Sequence, residues 1–344
     1  MKNVLLFTAD CLEGTKDLVE EELKKLGPSL VIYESGRDDS VVFCAEEDYS
    51  KLKSLKKVLA IYYLLCFPVK GPGNLLKANY LADINLHIQK AVKNSLDFQA
   101  KTFRINAPGD ESKTYYELIE KIEHFTGLRF DKEGGDLLLR FRKHSSGTAW
   151  EVLIRLSSRL RSARMWREFN FKGALNPVLA NILYDLTGIK KGDRLINVMS
   201  GSGTLLIEAG QRHKLSRIVG VENNEEVLKI SEKHIRNAML KEIEIFNMDA
   251  QLLEFPDGSF DVALADLPWG ENIGERSQNE TLYTNTLKEL KRVLVPDGKI
   301  GLITQDIRNI EHAIKTVGFT ILHRRKVYQG GFHPEIFILR SNKI

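Results

Sequence analysis

The most constraining feature of the chain is the strand–turn–helix rhythm that sets in at Asn176. Apolar strands stand at 194–200, 217–222, 243–249, 260–268 and 299–305, separated by helical segments. Runs apolar on both faces, joined through helices, call for parallel strands covered on both sides. This is α/β architecture: a Rossmann-like, mostly parallel, doubly wound sheet over 176–344. The last two apolar runs, 319–331 and 333–341, have no helix between them and should form an antiparallel hairpin.

The preceding half has a different texture. Residues 4–68 alternate period-two apolar runs with helical stretches at 14–26 and 46–58, which reads as βαββαβ. The breaker cluster Lys70–Asn74 sets a boundary, giving a first α+β unit over 1–70. A helix at 83–94, a strand at 101–109, a helix at 112–126 and strands at 136–144 and 149–157 make a second α+β unit over 71–157, and 158–175 is the basic linker to the C-terminal half. The opening run meets Thr8 and Asp10 too soon for a signal segment and is expected to be the first strand. With no apolar run near the roughly 20 residues of a membrane span, a cytoplasmic chain is expected. Cys11, Cys44 and Cys66 are far apart and form no CxxC, so neither disulfides nor a metal site is expected. His144, His213 and His234 lack partners at ligand spacing and read as surface or helix histidines.

Within the C-terminal half, Asn197 leads through Ser200, Gly201, Ser202, Gly203 and Thr204 into a helix. Glycines allow a tight turn and close approach of backbone to ligand, with a helix N-terminus behind it. Nineteen residues after Gly203, at the end of the next strand, Glu222 precedes Asn223, and Asp249 precedes Ala250 at the end of the third strand. Carboxylates there suit ribose hydroxyls and an adenine amine, because open α/β sheets bind ligands at the carboxyl ends of their strands. The turn lacks the third glycine of the dinucleotide fingerprint, which favours S-adenosylmethionine over a pyrophosphate cofactor.

The fourth strand ends in Asp266, Leu267, Pro268, Trp269 and Gly270. This resembles the [Asn/Asp]-Pro-Pro-[Tyr/Phe/Trp] element of amino-methyltransferases acting on nucleobases and glutamine. The resemblance implies that the Asp266 carboxylate and the Leu267 carbonyl grip the two hydrogens of an exocyclic amine, raising its nucleophilicity. Pro268 stiffens the turn, Trp269 offers a stacking face, Asp266 also borders the cofactor, and it accepts the proton lost after transfer. The bland alternative is a strand-ending turn with a core tryptophan.

A basic stripe lies between the halves. Arg140, Arg142, Lys143, Arg155, Arg159, Arg161, Arg164, Arg167 and Lys172 face only Glu151 and Glu168 in sequence. Such a run can neutralise several phosphates, although a solvated face is its bland reading. The net charge of the chain is only +4, so this unevenness carries the argument.

With these residues in view, the chain resembles the THUMP-domain tRNA (guanine-N2) methyltransferases. That resemblance implies a ferredoxin-like unit over 1–70, a THUMP RNA-binding domain over 71–157 and an Arg-rich linker, followed by a Rossmann-fold methyltransferase domain. It implies that the first 155 residues grip the 3′ CCA end of tRNA, and that Asn176 and Pro177 sit near cofactor or target base. Asn197 stands where the family has aspartate, and its amide is expected to help hold the methionine moiety. The tail from Val327 to Leu339 is similar to the branch acting on guanosine 6 of the acceptor stem. Some relatives need a small activator subunit; a monomer is favoured here. The same chemistry on another guanosine (tRNA position 10 or rRNA) is one competing reading. An RNA-binding protein with a degenerate methyltransferase domain is the second, and a small-molecule or protein-glutamine methyltransferase is the third.

Overall fold

The computed structural model describes residues 5–45, 50–169, 173–212, 214–269 and 275–341, with backbone alone at 275–277. Lys172, His213 and Gly270 lie outside the described residues. The chain divides into two compact units, Met1–Arg161 and Ser162–Ile344.

In the first unit β1 (Leu5–Asp10), α1 (Lys16–Lys24), β2 (Val31–Tyr33), β3 (Ser40–Ala45) and β4 (Ala60–Phe67) lead to α2 (Ala78–Lys93) and β5 (Thr102–Asn106). Then come α3 (Lys113–Thr126), β6 (Arg129–Phe130), β7 (Leu137–Lys143) and β8 (Trp150–Arg155). All eight strands form one sheet in the order β2-β3-β1-β4-β8-β7-β5-β6. The expected boundary at 70 therefore falls inside a continuous sheet, where β4 and β8 pair antiparallel from Tyr62–Arg155 to Phe67–Trp150. One core runs along the helix-covered face, with Phe7, Phe43, Tyr63, Phe103 and Ile154 packed with Val19, Leu23, Ile84 and Leu118. The alternate residues Tyr62, Leu64, Leu138 and Leu153 form a smaller cluster, as the two-residue side-chain period requires. The helix expected over 46–58 is, in its described part, a short 3-10 turn at Ser50–Ser54. Its apolar anchors Leu52 and Leu55 are three residues apart and buried, a spacing that one tight turn satisfies.

The second unit comprises α4 (Pro177–Thr187), β9 (Arg194–Val198), α5 (Thr204–Gly210), β10 (Arg217–Glu222), α6 (Glu225–Asn237), β11 (Ile243–Asn247) and β12 (Phe260–Asp266). It continues through α7 (Glu275–Val293), β13 (Leu294–Thr304), α8 (Ile307–Val317), β14 (Phe319–Lys326) and β15 (Glu335–Ser341). Strand order is β11-β10-β9-β12-β13-β15-β14. The strands from β11 to β13 are parallel, and the expected terminal hairpin pairs antiparallel. From β9 the chain winds outward to β11, then returns to lay β12 against β9 on the other side. That reversal is the switch point where such sheets open a crevice. Because Val198 pairs with Ala265, the loop after β9 and the tip of β12 emerge side by side. Among the described residues no helix is long and apolar enough to cross a membrane, and none groups into a candidate metal site.

Candidate functional site

A cavity of about 770 Å³ opens at this switch point. Its walls include Met199, Glu222, Asn223, Asp249 and Ala250 from the ends of β9, β10 and β11, and Asp266, Leu267, Pro268 and Trp269 from the end of β12. A second, smaller pocket shares Met199 and Asp266 and is bounded by Ser200, Gly201, Ser202 and Thr204. The expected groups, spread over more than sixty residues of sequence, thus line this cavity and the pocket beside it.

The loop after β9 turns on positive φ at Met199 (51°), Gly201 (55°) and Gly203 (83°). The positive φ at Gly203 favours glycine, and a Cβ there would also lie 2.5 Å from Ser231 Oγ and force that hydroxyl to move. Met199 is the surprise, since a bulky residue in the left-handed region costs on the order of 1–3 kcal/mol and such strain gathers at ligand sites. Glu222 braces the loop: one carboxylate oxygen accepts from Gly201 N at 2.9 Å and the other from Asn224 N at 3.0 Å. A carboxylate oxygen can accept more than one hydrogen, so both remain able to receive ribose hydroxyls. Ser200 Oγ is buried with no hydrogen-bond partner among the described residues. Asp249 is exposed and caps its own turn, accepting from Gln251 N at 2.8 Å.

Asp266 lies where the parallel strands end and apolar packing begins. Its side-chain hydrogen bond is from Trp269 Nε1, at 3.3 Å. Burial pushes its carboxyl up to about 7, only partly offset by that bond. A carboxyl with this affinity is suited to taking a proton near neutral pH. Leu267 is buried and its N–H bonds to Ile303 O at 3.0 Å, so this position continues the sheet where proline could not. The Pro268 carbonyl accepts from Tyr283 Oη and, at 3.4 Å, from Thr304 Oγ1, which fixes the turn from below. Trp269 is half-buried beside the cavity, and its ring meets Phe332 edge-on at 5.5 Å. Sequence reasoning missed Tyr283, Thr304 and Phe332, which reach the turn from α7, β13 and the β14–β15 connection; none carries a motif of its own.

Several expected roles change. Asn197 lines neither cavity; its side-chain amide is fully buried and donates to Val198 O and Leu264 O, at 3.2 and 3.0 Å. It ties β9 to β12 and is turned away from a ligand. Asn176 caps α4 by accepting from Val178 N at 2.9 Å, and the preceding Gly173 and Ala174 line the cavity instead. His234 is the helix histidine expected, buried in α6, and its Nδ1 lies 3.0 Å from Ser202 O, behind the glycine loop.

The basic stripe breaks up. In the first unit Arg155 is buried and donates to the carbonyls of Ser157 and Ser158. Arg140 pairs with Asp10 at 2.8 Å above the Tyr62 ring, Arg142 with Glu151 at 2.6 Å, and Arg161 donates to Lys53 O and Leu55 O. In the second unit Arg164 grips buried Glu208 through two bonds of 2.6 and 3.0 Å, and Arg167 bonds Thr204 Oγ1 at 2.6 Å and Leu175 O at 2.9 Å. Lys143 and Arg159 are exposed. Packing within the units has claimed most of the charge that the sequence run offered to phosphates.

A profile of the UPF0020 family, described as RMKL-like methyltransferase domain, matches residues 164–335, half of the chain. The chain belongs to this family. Among curated relatives, a tRNA (guanine(6)-N2)-methyltransferase of Thermus thermophilus is 30% identical over 182 residues, 52% of this chain and 53% of that one. A tRNA (guanine(10)-N2)-dimethyltransferase of Methanothermobacter thermautotrophicus is 28% identical over 151 residues, 43% of this chain and 44% of its own length. The matched segment spans about half the length of these relatives. The crystal structure of TrmN from Thermus thermophilus shares the fold, with a TM-score of 0.78 at 22% identity, covering 99% of this chain and all of the other. The family domain coincides with the unit that holds the cavity.

Proposed function

We propose that this UPF0020 member transfers a methyl group from S-adenosylmethionine to the N2 amine of a tRNA guanosine, at position 6 of the acceptor stem. The observation that carries the reading is Asp266, a poorly solvated carboxylate at the tip of β12, in one cavity with Glu222 and a half-buried Trp269 and also bordering the smaller pocket formed by the glycine loop. The residues present fit such a donor. The cavity is large enough for a nucleoside ligand of this size. Glu222 stands where two ribose hydroxyls need an acceptor, Asp249 and Ala250 border a place for the adenine, and unpartnered Ser200 Oγ is free to bond a ligand. When bound, the sulfonium supplies an electrophilic methyl group.

The protein's own contribution is positioning and proton management. Trp269 stacks the extruded base, and Asp266 with the Leu267 carbonyl receives the two amine hydrogens, leaving the nitrogen lone pair directed at the methyl. After transfer Asp266 accepts the departing proton. The Tyr283 and Thr304 contacts to Pro268 keep the turn from rotating.

Residues 1–70 would be the ferredoxin-like unit: the order β2-β3-β1-β4, antiparallel throughout, supports that reading. Residues 71–157 would be the THUMP domain, holding the tRNA 3′ CCA end together with the ferredoxin-like unit, with exposed Lys143 and, in the linker that follows, exposed Arg159 among the phosphate contacts. The protein would act in the cytoplasm as a monomer, and an activator subunit can be tested by adding cell extract to the reaction. The test is incubation with unmodified total tRNA and labelled S-adenosylmethionine, followed by mapping of the labelled nucleoside. N2-methylguanosine at position 6 is expected. Label at position 10 would move the site, label in rRNA alone would change the substrate, and no label with intact donor binding would reduce the protein to an RNA binder.

A further inference from the structure

The connection between β14 and β15 closes in a two-residue turn at the cavity mouth. Gln329 and Phe332 exchange backbone hydrogen bonds of 3.0 Å, and Gly330 and Gly331 between them have φ of 57° and 93°. Two successive positive φ values are the requirement of a type I′ turn, which glycines meet without strain. The turn carries a side chain toward the site from each end. Phe332 meets Trp269, and Gln329 lines the same cavity as Asp266. Gln329 Oε1 is buried and has no hydrogen-bond partner among the described residues. A buried acceptor left unpaired is costly, so a ligand donor that reaches it is favoured there.

We infer that Gln329 is a specificity-determining residue, its Oε1 accepting the ring N1–H of the target guanine while Phe332 and Trp269 together border the base. This rests on the proposed methylation of a guanine amine. The chemical reason is the identity of the atom next to the reacting nitrogen. Beside N2 of guanine the ring nitrogen N1 carries a hydrogen and is a donor. Beside N6 of adenine or N4 of cytosine the adjoining ring nitrogen is a bare acceptor. An acceptor in the pocket therefore welcomes guanine and repels the other two amines, with no contact to the amine itself. Asp266 cannot make this distinction, since every exocyclic amine offers it the same two hydrogens. Discrimination by one hydrogen bond to a base edge falls in the range of about ten- to a hundredfold.

The test uses the full chain and a tRNA transcript carrying either guanosine or 2-aminopurine at the position that the wild-type protein labels. The two bases share the reactive 2-amino group, but N1 of 2-aminopurine has no hydrogen. Wild type should prefer guanosine. Gln329→Leu should lose about ten- to a hundredfold in kcat/KM on guanosine and much less on 2-aminopurine, so that the preference collapses. Gln329→Glu, assayed at pH 8 where a carboxylate is favoured, keeps an acceptor and loses the amide donor, so its preference for guanosine over 2-aminopurine should not fall below that of wild type. It also guards against a leucine variant that fails to fold. Unchanged preference in a folded Gln329→Leu variant, with wild type active on guanosine N2, would overturn the role of Gln329 while leaving the proposed activity standing. Absence of guanine methylation by wild type would remove both.

Discussion

Removing the charge of Asp266 should strengthen the fold while it cripples the chemistry. Burial raises this carboxyl from an ordinary 3.8 to about 7, so the folded state holds a proton that the unfolded chain has already released. For an acid shifted upward, stability declines as pH rises above the unfolded value, and the loss is complete once pH exceeds the folded one. The span corresponds to an upper limit on the order of 4 kcal/mol, reduced by the partial exposure of the side chain. Asp266→Asn keeps the shape and the acceptor facing Trp269 Nε1, and removes only the titration. Urea denaturation of both proteins without ligand should show a small difference near pH 4 and a midpoint for Asp266→Asn that pulls ahead as pH climbs to 7 and levels off above it. Turnover should move the opposite way. In wild type the rate should rise about tenfold from pH 6 toward a plateau above 7, because only the ionised carboxylate takes the proton. Asp266→Ala should bind S-adenosylmethionine normally and lose about two to four orders of magnitude in kcat. A gap between the denaturation midpoints of wild type and Asp266→Asn that ignores pH would refute the argument from burial. Retained turnover in Asp266→Ala would refute the role in proton transfer.

Three further outcomes are expected. Glu222→Gln places an NH2 against one of the two backbone N–H groups of Gly201 and Asn224, so affinity for S-adenosylmethionine by titration calorimetry should fall about ten- to a hundredfold; unchanged affinity would remove Glu222 from the site. Arg155→Met should destabilise the first unit by about 1–3 kcal/mol and leave the salt dependence of tRNA binding alone. Lys143→Ala with Arg159→Ala should lower the slope of log K against log salt by about 2 without loss of stability, and the reverse pattern would restore the stripe as an RNA surface.

What the sequence by itself determined was the kind of fold and the chemistry at the strand ends. Parallel strands, doubly wound, are written in runs of apolar residues separated by helices, and the glycine loop, Glu222, Asp249 and Asp266 are legible because local rules fix them at the carboxyl ends of strands. Tertiary structure decided which of those residues face the ligand. Asn197 sits in the motif, yet a neighbouring strand offers its amide two carbonyls, and packing turns it inward. The arginines of the stripe found carboxylates and carbonyls remote in sequence, such as Glu208 for Arg164 and Lys53 for Arg161. A charge run records how many cations a segment has and nothing of what folds against them. The sheet that carries β4 onto β8 across a breaker cluster, and the turn that brings Gln329 and Phe332 to Asp266 and Trp269, are likewise long-range pairings. Their cause lies in contacts between distant segments, which only the folded chain brings together.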